Sequence, residues 1–211
     1  MPEATIPRTL VIETAASACS VALIEQGTVL AQRHEVVGRG HAERLIPMIT
    51  ELPEGGRAEH ILVDCGPGSF TGIRVGIAAA RGLGLGWGVP VAGFSALPLV
   101  AAAGFAADAD LHQLAVVLEG GHGEVFVQHF DRAAGAVGAF ASLKPDAALA
   151  SLNGRLAIGN GVRHLVAMEP TLQVCEALPR AADAALLAPA DRTLAARPIY
   201  GRAPDAKPIA Q

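Results

Sequence analysis

Cys19, Cys65 and Cys175 are the only cysteines in the chain, far apart and without a CxxC spacing. That excludes a disulfide framework or a ribbon-type zinc site and reads as reduced thiols. Seven histidines, His34, His41, His60, His112, His122, His129 and His164, include no pair four residues apart, so a helical two-histidine metal site is excluded as well, and they read as surface or turn residues. No Gly-Lys-Ser/Thr closes a glycine-rich loop and no GxSxG surrounds a serine; neither a Walker A loop nor a hydrolase elbow is present. A basic block is missing too. With 16 Lys and Arg against 20 Asp and Glu, the net charge is -4, which is not the footprint of a chain that grips nucleic acid strongly by itself. The opening MPEATIPRTL lacks the apolar core of a secretory leader, and the longest weakly apolar run, Phe94 to Ala107, is too short to span a bilayer. The expectation is a cytoplasmic protein without a membrane segment.

What the chain has is core-forming material: 51% hydrophobic and 17% charged residues over 211 positions, enough for one domain or two small lobes. Leu10 to Ile12, Cys19 to Ile24 and Val29 to Val37 read as three strands joined by short turns, with Gln26-Gly27 as the hairpin signal. From His41 the period changes. Leu45, Met48, Ile49 and Leu52 mark one face of a helix that Pro47 is expected to kink. A buried strand HILVDC follows at His60 to Cys65, then a glycine turn, a long helix, a strand near Val89 to Phe94 and a helix from Ser95. The second half repeats the order in reduced form. Strands at Leu114 to Leu118, Glu124 to Phe130 and Val137 to Leu143 precede a short helix near Asp146 to Leu152, a strand at Leu156 to Ile158 and the turn GNGV at Gly159 to Val162. Arg180 to Ala188 reads as helical, and RPIYGRAPDAKP from Arg197 as an extended surface segment. The pattern predicts a pseudo-duplicated α/β protein of two lobes, residues 1–108 and 109–211, the second reduced.

Gly66 to Gly88, GPGSFTGIRVGIAAARGLGLGWG, carries the most information. Gly72, Gly76, Ala80, Gly84 and Gly88 recur every four residues, a helical ridge that admits close approach. The only charges are Arg74 and Arg81, so no wide solvated face is evident, and each interior glycine costs about 1 kcal/mol relative to alanine. Such a helix needs packing partners, predicted here as its own sheet and a second element or subunit.

Three strand candidates end in an acid, Glu13, Asp64 and Glu119. Carboxylates at the carboxyl ends of strands either hold Mg²⁺ in an open α/β cleft or cap turns. The GPGSFTG turn either cradles a phosphate, with Arg74 complementing the anion, or permits a tight turn. GNGV is similarly ambiguous.

LVIETAASACSVAL, HAERLIPMI, ILVDCGPGSFTGIRVGIAAARGL, the GEVF hairpin and the closing PIYGRAPDAKP, in that order over nearly the whole chain, resemble the TsaB family of bacterial tRNA threonylcarbamoyladenosine biosynthesis proteins. The resemblance implies the two-lobed actin-like (ASKHA, ribonuclease-H-like) fold and a non-catalytic subunit with no cofactor of its own, weak Mg-ATP binding aside. Its implied partners are a TsaD-like catalytic subunit, which carries the metal-binding histidines, and a TsaE-like ATPase. Together these transfer a threonylcarbamoyl group from its adenylate to N6 of the adenosine beside the anticodon of tRNAs reading codons that begin with A. It further implies a pairing surface on the first two helices, here Leu45, Ile49, Ile73, Gly76, Ile77 and Ala80, homodimers when the partner is absent, and a tRNA contact that is indirect or shared. The chain departs from the family's pattern at Glu13, where relatives have aspartate, and at LEGGHGEVF, where they have Asp-Ala-Arg before Gly-Glu-Val-Tyr. Both changes fall at the cleft. The alternative is an independent phosphotransferase or ATPase that uses Glu13, Asp64 and Glu119 with Mg²⁺.

Overall fold

The expected N-terminal meander forms as β1 (Thr9–Glu13), β2 (Ala18–Glu25) and β3 (Thr28–Val36) in the computed structural model of the protein, which describes residues 8–201. Gln26 and Gly27, at φ 51° and 77°, make the two-residue primed turn whose twist matches the strands it joins. Helix α1 (His41–Thr50) continues through Pro47; the proline sits on the exposed side, where water can take up the carbonyl that loses its N–H partner. Then come β4 (His60–Asp64), α2 (Phe70–Trp87), β5 (Val91–Phe94) and α3 (Ala96–Ala107). The first sheet has the order β3-β2-β1-β4-β5, with β1, β4 and β5 parallel.

The second half repeats this plan with β6 (Gln113–Gly121), β7 (Glu124–Asp131), β8 (Gly135–Leu143), α4 (Pro145–Ser151), β9 (Leu156–Ile158), α5 (Val162–Val166) and β10 (Val174–Cys175). Its order, β8-β7-β6-β9-β10, matches the first sheet strand for strand. The duplication predicted from the strand-helix order is therefore real. The reduction is concentrated in α5, five residues where α2 has 18.

The layers follow from where apolar side chains point. Leu10, Ile12, Val21, Leu23, Ile61 and Val63 pack on one face of the first sheet under α1 and α2. On the other face, Val11, Ala22, Leu62 and Phe94 meet Leu99 of α3 and a 3₁₀ segment, Ala181–Leu186, which replaces the helix expected at Arg180 to Ala188. Leu97, Val100 and Ala101 of α3 pack instead on Leu114, Val116, Leu118 and Phe126 of the second sheet. Helix α3, whose twelve residues carry no charge, is thus the middle layer, and α4 and α5 close the far side. Helix α2, expected to need a second packing partner, packs on its own sheet and against α1, and α3 is covered on both sides.

The first lobe is not contiguous in sequence. The 108/109 boundary falls just after α3, but residues 181–187 and 194–199 cross back to the first sheet. Gly93 and Leu194 exchange backbone hydrogen bonds of 2.6 and 3.0 Å, the Ile199 N–H donates to the Cys65 carbonyl at 2.8 Å, and Arg81 donates to the Ala196 carbonyl at 2.6 Å. We call Leu194 to Gly201 the strap. Ala196 is buried, while the tail expected on the surface from Arg197 has no buried residue as far as Gly201, and its remainder from Arg202 lies outside the described residues. Among the described residues no helix is long and apolar enough to cross a membrane.

Candidate functional site

The carboxyl ends of β1 and β4 lie side by side, because Ile12 pairs with Val63 in parallel register, and this brings Glu13 and Asp64 together, both fully buried. Glu13 Oε1 accepts the Ala15 N–H and Asp64 Oδ1 accepts the Gly66 N–H, each at 2.7 Å. Glu13 Oε2 and Asp64 Oδ2 have no hydrogen-bond partner among the described residues, and the two buried carboxyls lie close enough to act on each other's charge. Burial first, and then the Asp64 charge, hold the Glu13 carboxyl well above the usual range; burial pushes Asp64 up to about 7. A proton on Glu13 donated to Asp64 is the arrangement that fits, since two adjacent buried carboxylates repel. The expected third acid does not join them. Glu119 is partly exposed on the second lobe and is tied to Arg163 at 2.6 Å and to His164 at 3.7 Å. Among the described residues no three His, Cys, Asp or Glu side chains gather where one ion would bind. The three acids expected at one cleft thus divide into a buried neighbouring pair that accepts turn N–H groups and a separate surface ion pair.

Ala15, Ala16, Pro67, Gly68 and Ala96 of the first lobe face Leu118, Glu119, Asn160 and Pro179 across a cleft that encloses about 10 Å³. That is about one water, whereas small-molecule sites run to about 300–1,000 Å³. Two donors of the glycine turn are also committed: the Ser69 N–H to the Ala15 carbonyl at 2.7 Å and the Gly72 N–H to Ser69 Oγ at 3.2 Å. A Cβ on Gly68 would lie 2.2 Å from the Ala15 carbonyl oxygen, and one on Gly161 within 2.8 Å of the Leu118 carbonyl carbon. These glycines therefore serve close backbone approach rather than an open anion cradle. Arg74 lies 3.6 Å over the Phe70 ring and donates to the Tyr200 hydroxyl from Nε and Nη2 at 3.0 and 2.8 Å.

The glycine ridge is used inside the protomer. A Cβ on Gly72 would fall 2.0 Å from the Thr14 carbonyl oxygen, on Gly76 2.3 Å from Thr14 Oγ1, and on Gly84 2.4 Å from a Val91 methyl. Thr14 Oγ1 in turn donates to the Gly72 carbonyl at 2.8 Å, joining α2 to the end of β1. Leu45, Ile49, Ile73, Gly76, Ile77 and Ala80 are all buried under α1 and α2. As a set of side chains offered to a partner they are corrected: they fix how the two helices sit, and the opposite face looks outward. That face carries Ala42, Ile46 and Pro47 on α1 and Phe70, Arg74, Ala78, Gly82, Leu85 and Gly86 on α2, with Leu85 87% exposed.

Two functional groups escaped the sequence reading. His41 is buried, not at the surface, and its Nε2 lies 2.9 and 3.1 Å from the Ala16 and Ala18 carbonyls, bridging α1 to the cleft loop. Its position as first residue of HAERLIPMI was the available signal. Tyr200 stacks on Phe70, with ring centroids 5.4 Å apart, 130 residues away in sequence; nothing local marks that pairing.

The family model for TsaD, tRNA N6-adenosine threonylcarbamoyltransferase, matches residues 28–150. The tRNA threonylcarbamoyladenosine biosynthesis protein TsaB of Escherichia coli is 38% identical over 130 residues, covering 59% of this chain and 55% of that one. An uncharacterised Mycobacterium bovis protein is 32% identical over the full chain and 99% of its own length. Among solved structures, YeaZ from Pseudomonas aeruginosa superposes with a TM-score of 0.71 at 29% identity, over 86% of this chain and 90% of that one. The chain spans about half the length of the TsaB-named relatives it matches.

Proposed function

The chain belongs to the TsaD family as a TsaB-type member with the two-lobed actin-like fold, and from that premise we propose that it is a non-catalytic subunit in the formation of N6-threonylcarbamoyladenosine in tRNA. It acts by docking on a TsaD-like catalytic subunit, with a TsaE-like ATPase as the third component. The observation that carries the non-catalytic part is the closed cleft. The Gly66, Ser69 and Gly72 N–H groups beside it are bonded within the fold, its two buried acids each accept a backbone N–H, and it encloses about 10 Å³.

The docking part is supported by the contrast between the two sides of α1 and α2. The inner side is packed to the limit of backbone approach, while the outer side leaves Ile46 and Leu85 uncovered beside Ala78, Gly82 and Gly86. Small residues there let a second helix pair approach closely, and exposed apolar side chains gain about 25 cal/mol per Å² when covered. A second copy of the chain can use the same face when the partner is absent, giving a homodimer.

Threonylcarbamoylation of tRNA is measured in a mixture of the cognate TsaD-like subunit, the TsaE-like ATPase, threonylcarbamoyl-adenylate and ATP, with this chain present or omitted. The expected result is modification only when it is present, and none from it alone. Modification by the chain alone, or equal modification without it, ends the proposal.

A further inference from the structure

The net charge of -4 conceals an uneven distribution. From Cys65 to Ala107 there is no Asp or Glu, and none from Arg192 to Gly201. These two stretches are brought together: the strap crosses α2, held by Arg81 on the Ala196 carbonyl and by Arg74 on the Tyr200 hydroxyl. Arg74, Arg81 and Arg197 are all exposed. Within this acid-free area stand two of the few exposed aromatic rings, Phe70 at 55% and Tyr200 at 47%. They stack on each other, and Arg74 is held over Phe70 by its two hydrogen bonds to Tyr200.

We infer that the Phe70, Arg74 and Tyr200 cluster, with Arg81 and Arg197 beside it, is a contact surface for unpaired RNA. Three features favour an RNA single strand over an acidic protein face. Half-exposed aromatic rings offer a stacking surface for a splayed base, which a carboxylate does not use. A guanidinium held 3.6 Å from a ring centroid adds to that surface and leaves donors free for phosphate, since two of its five N–H groups are spent on Tyr200. The surrounding arginines, with no acid in either segment, supply the local positive field that the composition as a whole does not. The surface is continuous with the outer face of α2, so RNA reaches it along the rim of the proposed docking helices. The proposed function suggests RNA as the nucleic acid; the surface itself is argued from the residues.

The test uses the full chain alone, which separates it from the partner-dependent test above. Fluorescence anisotropy follows a labelled RNA stem-loop with seven unpaired loop nucleotides, the same RNA annealed to its complement, and a polyglutamate competitor. Expected is preferential binding of the looped RNA, with log K falling against log salt with a slope of about -2 for three arginines on a single strand. Phe70→Ala and Tyr200→Ala each weaken it at least about fivefold, Tyr200→Phe weakens it less because the ring remains, and Arg155→Ala, the same charge loss elsewhere on the second lobe, leaves it unchanged. Circular dichroism and the thermal midpoint confirm that each variant is folded. No binding by the folded wild-type chain, equal binding of the duplex, unchanged affinity in both ring variants, or displacement by polyglutamate at the same concentration as unlabelled RNA overturns the inference; the last would assign the surface to an acidic protein.

Discussion

Gly72 and Gly82 sit ten residues apart on one helix and respond oppositely to a methyl group. At Gly72 the added carbon meets the Thr14 carbonyl oxygen at 2.0 Å, a backbone atom that cannot swing away, so Gly72→Ala is expected to cost about 3 kcal/mol. At Gly82 it meets nothing within 4 Å, and Gly82→Ala should gain about 0.5–1 kcal/mol, about 1–4 °C in thermal midpoint. Thermal unfolding of the two variants checks both signs. Gly76→Leu, which a reading from the ridge alone would select as an interface probe, tests the fold instead. Glu13 and Asp64 give the second prediction at this scale. Both groups titrate higher folded than unfolded, so the native state holds more protons, and their contribution to stability is fully present below about pH 4 and is lost as pH rises through about 7 and beyond. Glu13→Gln keeps a donor for Asp64 at every pH. It should flatten the fall in thermal midpoint between pH 5 and 8 and be the more stable protein at pH 8; parallel curves for variant and wild type would remove the shared proton.

The helices α1 and α2 carry the prediction about docking. Because Gly82 and Leu85 face outward, Gly82→Leu and Leu85→Asp should abolish association with the TsaD-like subunit, and self-association where it occurs, while Gly82→Leu does not lower the thermal midpoint and Leu85→Asp moves it by no more than about 0.5 kcal/mol allows. Light scattering coupled to size exclusion reads both states; unaltered association in both variants would move the interface elsewhere. At this scale the sequence was largely legible. The four-residue glycine period, the Gln26-Gly27 turn and the alternating strands announce elements whose signals are local. The direction in which the ridge points was not legible, since a stripe of small residues serves a strand as well as a helix. Nor could local pattern show that Glu119 diverges from Glu13 and Asp64, because that depends on the register between the lobes.

Across the whole molecule, the strap ties together parts that the order of the chain keeps apart. Leu194 extends the edge beside β5, Ala196 enters the first core, Ile199 bonds to Cys65, and Gly201 lies so close to Phe126 of β7 that a Cβ there would fall 2.0 Å from the ring. Truncation after Arg192 is expected to lower the thermal midpoint and to speed amide exchange in β5 and at Cys65 while leaving β2 protected; hydrogen exchange read by mass spectrometry locates the change, and unaltered exchange in β5 would deny the strap its role. The same feature bears on synthesis. A ribosome delivers the first sheet early, yet the segment that covers its inner face and the strap that completes its edge emerge only after the whole second lobe. The first lobe therefore cannot finish folding before the second has been made, and its exposed inner face must wait through that interval, in which a chaperone or a competing chain has its opportunity.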